Sequence, residues 1–377
     1  MATLDLDKRG YYLVGWKKFY NKTEAVTYAT KNSFEVRWVF NDNVYSTIDW
    51  TIPIEVSLPQ LYRMRAQQLR DKYDYIILHY SGGQDSNNVL HSFLDNNIKL
   101  DHIVIQVPEP ERKRTKENDT DWSNYWAEID YQTIPYLKSL GSKLDGIQIT
   151  IQDMSTTTTE LFSNDNWTEK LLPNASGNLG VIARAMAQYK TNEILEVADK
   201  GKISCQLLGI DKPLVYFDGV DYYAFFLDQS AYHMHPMDNT MSDLFINSVT
   251  EFFYWTPDLP EIVVKQAQEI KKVCVTNELY RDVFTKTHKH GVGMFRELMQ
   301  HIIYDPRHAP KFQTNKPPVP TAGPILNKWF FSESDKTLVN NYEYALEYIN
   351  SHIDTKFYNE DTRGHGYKSL SSKFYKL

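Results

Sequence analysis

The segment YIILHYSGGQDSNNVL, residues 75–90, limits what this chain can fold into more than any other stretch. Its first half is a near-continuous apolar run ending at Tyr80, the pattern of a strand covered on both faces of a parallel sheet. Its second half opens a helical pattern, with Val89, Leu90, Phe93 and Leu94 on one face. Ser81, Gly82, Gly83, Gln84, Asp85 and Ser86 lie between the two halves. Strand, glycine-bearing turn and helix in direct succession predict the first βα unit of an open α/β sheet. Ligands in such sheets sit at the carboxyl ends of the strands, where the strand order reverses.

The residues of the turn suit an anion. Glycines let the backbone approach a ligand closely. The first amides of the helix have no acceptor within the helix and carry the positive end of its dipole. Ser81 and Ser86 add hydroxyl donors. The segment is neither a Walker-type G-x-x-x-x-G-K-[ST] loop nor a G-x-G-x-x-G turn. Asp85 is the odd member, because a carboxylate inside an anion site needs a compensating charge. Magnesium bridging to phosphates would supply it. The plainer alternative is that Asp85 caps the helix and the glycines serve a tight turn.

Downstream, the pattern alternates. DHIVIQV (101–107), GIQITIQD (146–153) and KISCQLLGI (202–210) read as further strands with helical stretches between them. This rhythm predicts a doubly wound parallel sheet with right-handed crossovers. The stretch 108–121 is dense in charge and is expected to be a mobile loop. WSNYWAEIDYQTIPYLKSLG (122–141) predicts a helix kinked or split at Pro135. PLVYFDGVDYYAFF predicts a hairpin turning at Asp218-Gly219.

Before this region, residues 1–56 read as a small β-rich unit, with a hairpin expected around Asn41-Asp42-Asn43 and a short helix at 22–31. Ser57 and Pro59 mark the start of a helix running to Tyr73. From 236 to 377 the pattern is mainly helical, MSDLFINSVTEFFYW (241–255) included, with a proline-rich linker at 316–324. The expected division is therefore an N-terminal unit 1–56, an α/β domain 57–235 and a helical region 236–377. A length of 377 residues accommodates two or three domains.

Other candidate chemistry gathers at the same sheet edge. LGIDKP (208–213) ends the fourth strand, so Gly209, Asp211 and Lys212 point toward the turn; Asp211 offers a second magnesium ligand and Lys212 a cation for phosphate. A plain strand exit terminated by Pro213 is the alternative. PNASGNLGVIAR (173–184) is a loop entering a helix, with Arg184 as a candidate anion contact. His233-x-His235 and His288-x-His290 lack an accompanying Cys or acidic cluster and argue little for a metal. YDPRHAPKFQTNK (304–316) reads as a solvated loop or a lid.

Composition bounds the rest. A net charge of -7 gives no support to nonspecific nucleic-acid coating, which needs clustered Lys and Arg, although a local basic patch stays open. Two distant cysteines, Cys205 and Cys274, exclude a CxxC metal or redox pair and fit a reducing compartment. No apolar run is long enough for a membrane span and MATLDLDKRG lacks a signal-peptide core, so a cytoplasmic protein with no membrane partner is expected.

Ser81-Gly82-Gly83-Gln84-Asp85-Ser86, in its strand–turn–helix setting, resembles the SGGxDS signature of the PP-loop, or N-type, ATP pyrophosphatases. That superfamily includes the synthetase domain of asparagine synthetase, NAD and GMP synthetases, tRNA lysidine synthetase, tRNA thiolases and sulfonucleotide reductases. The chain as a whole also resembles phage-encoded proteins labelled PAPS-reductase-like. The resemblance covers roughly residues 70–215 and implies an adenine nucleotide alpha hydrolase-like (HUP-type) sheet. It implies ATP with Mg2+ as cofactors and adenylation of an acceptor with release of pyrophosphate. The implied nucleotide contacts are Ser81, Gly82, Gly83, Gln84, Asp85 and Ser86, with Asp85 near the metal. Adenine would lie near Val107 and Pro108.

The acceptor expected is a small molecule or a nucleobase, and a homo-oligomer stays open. A sulfonucleotide reductase would carry a cysteine near its C-terminus, and YKSLSSKFYKL has none. A glutaminase-linked synthetase would have a cysteine where this chain has Ala2, so the nitrogen is expected from free ammonia, an amine or another chain. The alternatives are sulfur or sulfonucleotide chemistry, and a nucleotide-binding protein without turnover.

Overall fold

A computed structural model of the chain describes residues 6–117, 127–156, 159, 196–197, 199–228, 248–285, 294, 297–312, 328–352 and 370–377. Its centre is a five-stranded, all-parallel sheet built from β4 (Tyr75–His79), β5 (His102–Val107), β6 (Gln148–Asp153), β7 (Ser204–Leu208) and β10 (Ser248–Phe252). The strand order is β10-β7-β4-β5-β6. The chain moves outward from β4 through β5 to β6, then returns to pair β7 with the other side of β4. The order therefore reverses beside β4, and the turn that follows β4 opens at this switch point. The expected α/β class with a parallel sheet is what the chain forms.

Helix α3 (Leu58–Lys72) precedes β4 and α4 (Gln84–Leu94) follows it. Ser57 and Gln60 form a capping box at the start of α3, with Pro59 in the first turn as the sequence predicts. α3 buries Leu58, Leu61, Tyr62, Ala66 and Leu69, and α4 buries Val89, Leu90 and Phe93. These residues join β4, β5 and β7 in one apolar cluster.

β10 corrects the expectation of a helix over 241–255. Its burial alternates along Ser248–Phe252, and it pairs in parallel with β7 from Ser248↔Ser204 to Phe252↔Leu208. A side-chain clamp holds this strand in place. Fully buried Arg65 of α3 reaches Glu251 Oε2 at 3.0 Å and the Phe252 carbonyl at 2.8 Å. Lys72 and the Tyr73 hydroxyl also bind the Glu251 carboxylate. Burial opposes ionisation of Glu251, but Arg65 and Lys72 outweigh it and hold the carboxyl down at about 2.

The N-terminal sheet has the order β2-β1-β3, with β1 (Tyr11–Val14), β2 (Lys17–Phe19) and β3 (Val36–Val39) all antiparallel, and α1 (Lys22–Asn32) packs on it. The hairpin is β1–β2, not one around residues 41–43. Asn41 adopts a left-handed φ of 50° and leads into the short helix α2 (Asp42–Tyr45). Asn and Asp tolerate that backbone region as readily at a helix entry as in a hairpin turn, so the signal was real and its meaning differed.

The expected loop at 108–121 is instead helical over its described part, α5 (Glu109–Glu117). Its charges find partners within the protein: Arg112 grips Asp130 and Glu109, and buried Glu111 accepts the Trp329 amide at 2.8 Å. The expected break at Pro135 takes the form of a change of helix type. A π-helical turn, Ile129–Thr133, runs into α6 (Ile134–Leu140), with the proline in its first turn.

The predicted hairpin forms β8 (Leu214–Phe217) and β9 (Tyr222–Phe225), with Asp218 accepting the Val220 and Asp221 amides. The last residues add β11 (Tyr375–Lys376) to the edge of β9. A buried ion pair ties the N-terminal unit to this second sheet: Lys22 Nζ lies 2.7 Å from Asp228 Oδ2, both side chains fully buried, and the Tyr12 hydroxyl donates to the same carboxylate at 3.1 Å. Helices α7 (Glu261–Thr276), α8 (Glu278–Thr285), α9 (Lys328–Glu333) and α10 (Lys336–His352) complete the described chain. Among the described residues, no helix is long and apolar enough to cross a membrane.

Candidate nucleotide turn

The turn after β4 is held open by two glycines and a cross-braced serine pair. Gly82 has φ +76°, and a Cβ there would stand 2.1 Å from Thr133 Oγ1. Thr133, at the end of the π-helical turn, donates its hydroxyl to the Ser81 carbonyl at 3.0 Å. The turn is thus pressed against a neighbouring helix at a point where only glycine fits. Ser81 Oγ and Ser86 Oγ lie 3.2 Å apart, and Ser86 Oγ also donates to the Gly83 carbonyl at 3.2 Å. Gly83 is the N-cap of α4 and brings no side chain to cover the first helical amides.

Asp85 does not cap the helix. Its carboxylate points away from the α4 amides, with Oδ2 accepting from Lys212 Nζ at 2.5 Å and Oδ1 accepting from the Tyr304 hydroxyl. Lys212 lies four residues beyond the end of β7, so the two strand ends meet here as their places in the sheet require. Gly209 makes the meeting possible: a Cβ there would come within 3.3 Å of the Asp85 carbonyl carbon. Asp211 Oδ1 accepts the Lys212 amide at 2.6 Å. Ser81, Gly82, Gly83, Gln84, Asp85, Ser86, Gly209, Asp211 and Lys212 therefore gather at one sheet edge. Val107 ends β5 on the same edge, fully buried, with its carbonyl accepting the Met154 amide at 3.1 Å.

Sequence reasoning did not anticipate the aromatic wall behind Asp85. Tyr254, just past β10, donates to the Asp85 carbonyl at 3.0 Å and receives the Asn88 side-chain amide at 2.9 Å. Tyr304 packs against it with ring centroids 5.8 Å apart. Burial, and then the Asp85 charge for Tyr304, push both phenols well above their ordinary range, so both stay protonated donors. Tyr254 sits in the stretch misread as a helix and Tyr304 in the stretch read as a loop or lid. The second stretch packs on α4, with the His308 carbonyl accepting from Asn87 at 3.2 Å. Thr133 carried no sequence signal.

Arg184 with its loop, both His-x-His pairs, the proline-rich linker and the helical zone expected around 157–200, apart from residues 159, 196–197 and 199–200, fall outside the described residues. Both cysteines are buried; burial pushes the Cys205 thiol well above its usual range and the Cys274 thiol up to about 12.

No protein-family model matches this chain, and no curated protein and no solved structure matches it either.

Proposed function

We propose that the chain is an ATP pyrophosphatase of the PP-loop type: it binds ATP at the Ser81–Ser86 turn, adenylates an acceptor oxygen and releases pyrophosphate. The observation that carries this reading is the position of the Ser-Gly-Gly-Gln-Asp-Ser turn at the switch point of a five-stranded parallel sheet. There the uncapped start of α4 faces a lysine from the next strand. The first amides of α4 and the Ser81 and Ser86 hydroxyls would receive the terminal phosphates, and Lys212 would leave Asp85 for the phosphate. Preorganised donors aimed at the departing pyrophosphate lower the barrier to its release.

The donor set suits magnesium. Asp85 and Asp211 offer hard carboxylate oxygens at one sheet edge, and Mg2+ takes one or two carboxylates plus phosphate oxygens. The ion would neutralise charge on the phosphates. Tyr304 fixes the orientation of the Asp85 carboxylate toward that task. Adenine would lie at the end of β5 beside Val107 and Pro108, in a HUP-type arrangement of nucleotide over sheet.

A nitrogen nucleophile is favoured for the second half-reaction, displacing AMP from the activated small molecule or nucleobase. Sulfur transfer needs a thiolate, and the chain's two thiols are buried and held protonated. On this reading the protein works in the cytoplasm on a small-molecule or nucleobase acceptor.

The test is release of pyrophosphate from labelled Mg-ATP across a panel of carboxylate, amide and nucleobase acceptors with ammonia or amines. AMP and pyrophosphate are expected from wild type and neither from Asp85→Asn. Formation of ADP and phosphate, or full turnover by the variant, would refute the reading.

A further inference from the structure

Farther along α4, away from the nucleotide turn, His91 and Asp95 stand one helical turn apart on the same face. The short 3-10 turn Pro306–His308 packs against that face and brings in His308. One ligand atom from each of the three lies within 4.8 Å of the others, the one such cluster among the described residues. We propose that His91, Asp95 and His308 bind a first-row divalent transition ion of the zinc type, at a position open to a neighbouring cleft.

The distances fit. His91 Nδ1 is 3.2 Å and His308 Nε2 3.0 Å from Asp95 Oδ2. Donors held at about 2.0–2.1 Å around a tetrahedral zinc stand roughly 3.3 Å apart. The remaining polar atoms of two of these residues are already held from outside. His91 Nε2 hydrogen-bonds the Tyr136 hydroxyl at 2.6 Å, and Lys143 Nζ lies 3.3 Å from Asp95 Oδ1. Such outer partners orient a ligating imidazole and a ligating carboxylate, leaving Nδ1 and Oδ2 turned to the centre.

Two borderline imidazole nitrogens beside one hard carboxylate oxygen make a mixed set, suited to zinc or iron rather than to calcium.

The site is open on one side. His91 is buried, but Asp95 is 34% exposed on its side chain, and all three residues line a cleft of about 670 Å³. A fourth position is thus left for water or a substrate atom, the arrangement of reactive rather than structural zinc. The same cleft is lined by Tyr304, whose hydroxyl holds Asp85. Six residues of helix separate Asp85 from His91, about 9 Å along the axis.

The imidazoles are stacked, centroids 3.4 Å apart and planes within 7°. Lone pairs lie in the ring plane, so a shared ion opens this stack. His308, on a three-residue turn, is the ring that tilts.

The experiment is calorimetric titration of the chelator-treated full chain with zinc, repeated with cobalt and read by visible absorption. One equivalent is expected to bind, with the intense bands of four-coordinate cobalt. Asp95→Asn and His308→Gln, both at partly exposed positions, should weaken that binding by about 100-fold or more while leaving circular dichroism unchanged. Tyr136→Phe should cost roughly 10–100-fold. Failure of both metals to bind would overturn the proposal. So would undiminished binding in the Asp95 and His308 variants, which would assign the metal to histidines elsewhere, such as His288 and His290.

Discussion

Gly82→Ala tests whether the nucleotide turn is shaped by its contact with Thr133. Two costs add in the variant. The first is backbone strain: a non-glycine residue held at φ +76° costs roughly 1–2 kcal/mol. The second is overlap, because the new methyl would stand 2.1 Å from Thr133 Oγ1. Thr133 is fully buried, so its hydroxyl has to swing away from the Ser81 carbonyl it binds at 3.0 Å and finds no water. A buried polar group left without its partner costs about 1–3 kcal/mol. The expected total is about 2–5 kcal/mol by these two terms.

Thr133→Ala alone forfeits one hydrogen bond, about 1 kcal/mol. In the double variant the Oγ1 overlap is gone; the strain, that lost bond and a tight approach of 3.0 Å to the Cβ of residue 133 remain. The two substitutions should therefore couple, the double variant being more stable than the sum predicts by about 1–3 kcal/mol, the cost of the orphaned hydroxyl it no longer carries. Urea denaturation of the four proteins followed by circular dichroism gives these values directly. Additivity within about 0.5 kcal/mol would show that the glycine is not required by Thr133, and the account of the turn would fail.

Three further outcomes follow from charges the fold has buried. Glu251→Gln should destabilise by about 3–5 kcal/mol, because it leaves buried Arg65 without its carboxylate. Because the folded pKa is depressed from 4.5 to about 2, the carboxylate's contribution is complete above 4.5 and fades as pH falls toward 2. Acid titrations of stability should thus be shallower in the Gln variant. Asp228→Asn should cost about 3–5 kcal/mol in a thermal melt by stranding Lys22, and adding Lys22→Met should recover part of that loss. Lys212→Met should lower kcat/KM for pyrophosphate release about 10- to 100-fold, the worth of one charged hydrogen bond of about 1.5–3 kcal/mol, and should leave the fold intact. A variant as active as wild type would remove Lys212 from phosphate binding.

The turn after β4 was legible because its signals are local. An apolar run, two adjacent glycines and a helical pattern within sixteen residues describe one βα unit, and β4, Gly82 and α4 follow from them. Gly209, Asp211 and Lys212 were also legible, since they end another strand and parallel strands deliver their ends to one edge. Elements whose stability is not local were misread. Ser248–Phe252 is a strand because β7 offers an open edge and Arg65 binds Glu251 from 186 residues away. Glu109–Glu117 is a helix because Asp130 and the Trp329 amide receive its charges. Thr133 carried no signal, and Tyr304 and His308 only as part of a stretch read as a loop or lid, because each acts through a contact with α4 or the turn made only on folding.

By itself, the sequence determined the α/β class and the sheet edge at which the Ser81–Ser86 turn lies, because hydrophobic periodicity and glycine placement are fixed over a few residues. The tertiary structure alone decided that Asp85 pairs with Lys212 and Tyr304, that β10 completes the sheet, and that His308 joins His91 and Asp95. Those outcomes depend on which distant side chains share a desolvated space. There an unpartnered charge or hydroxyl costs kilocalories, and the order of residues along the chain does not encode that pairing locally.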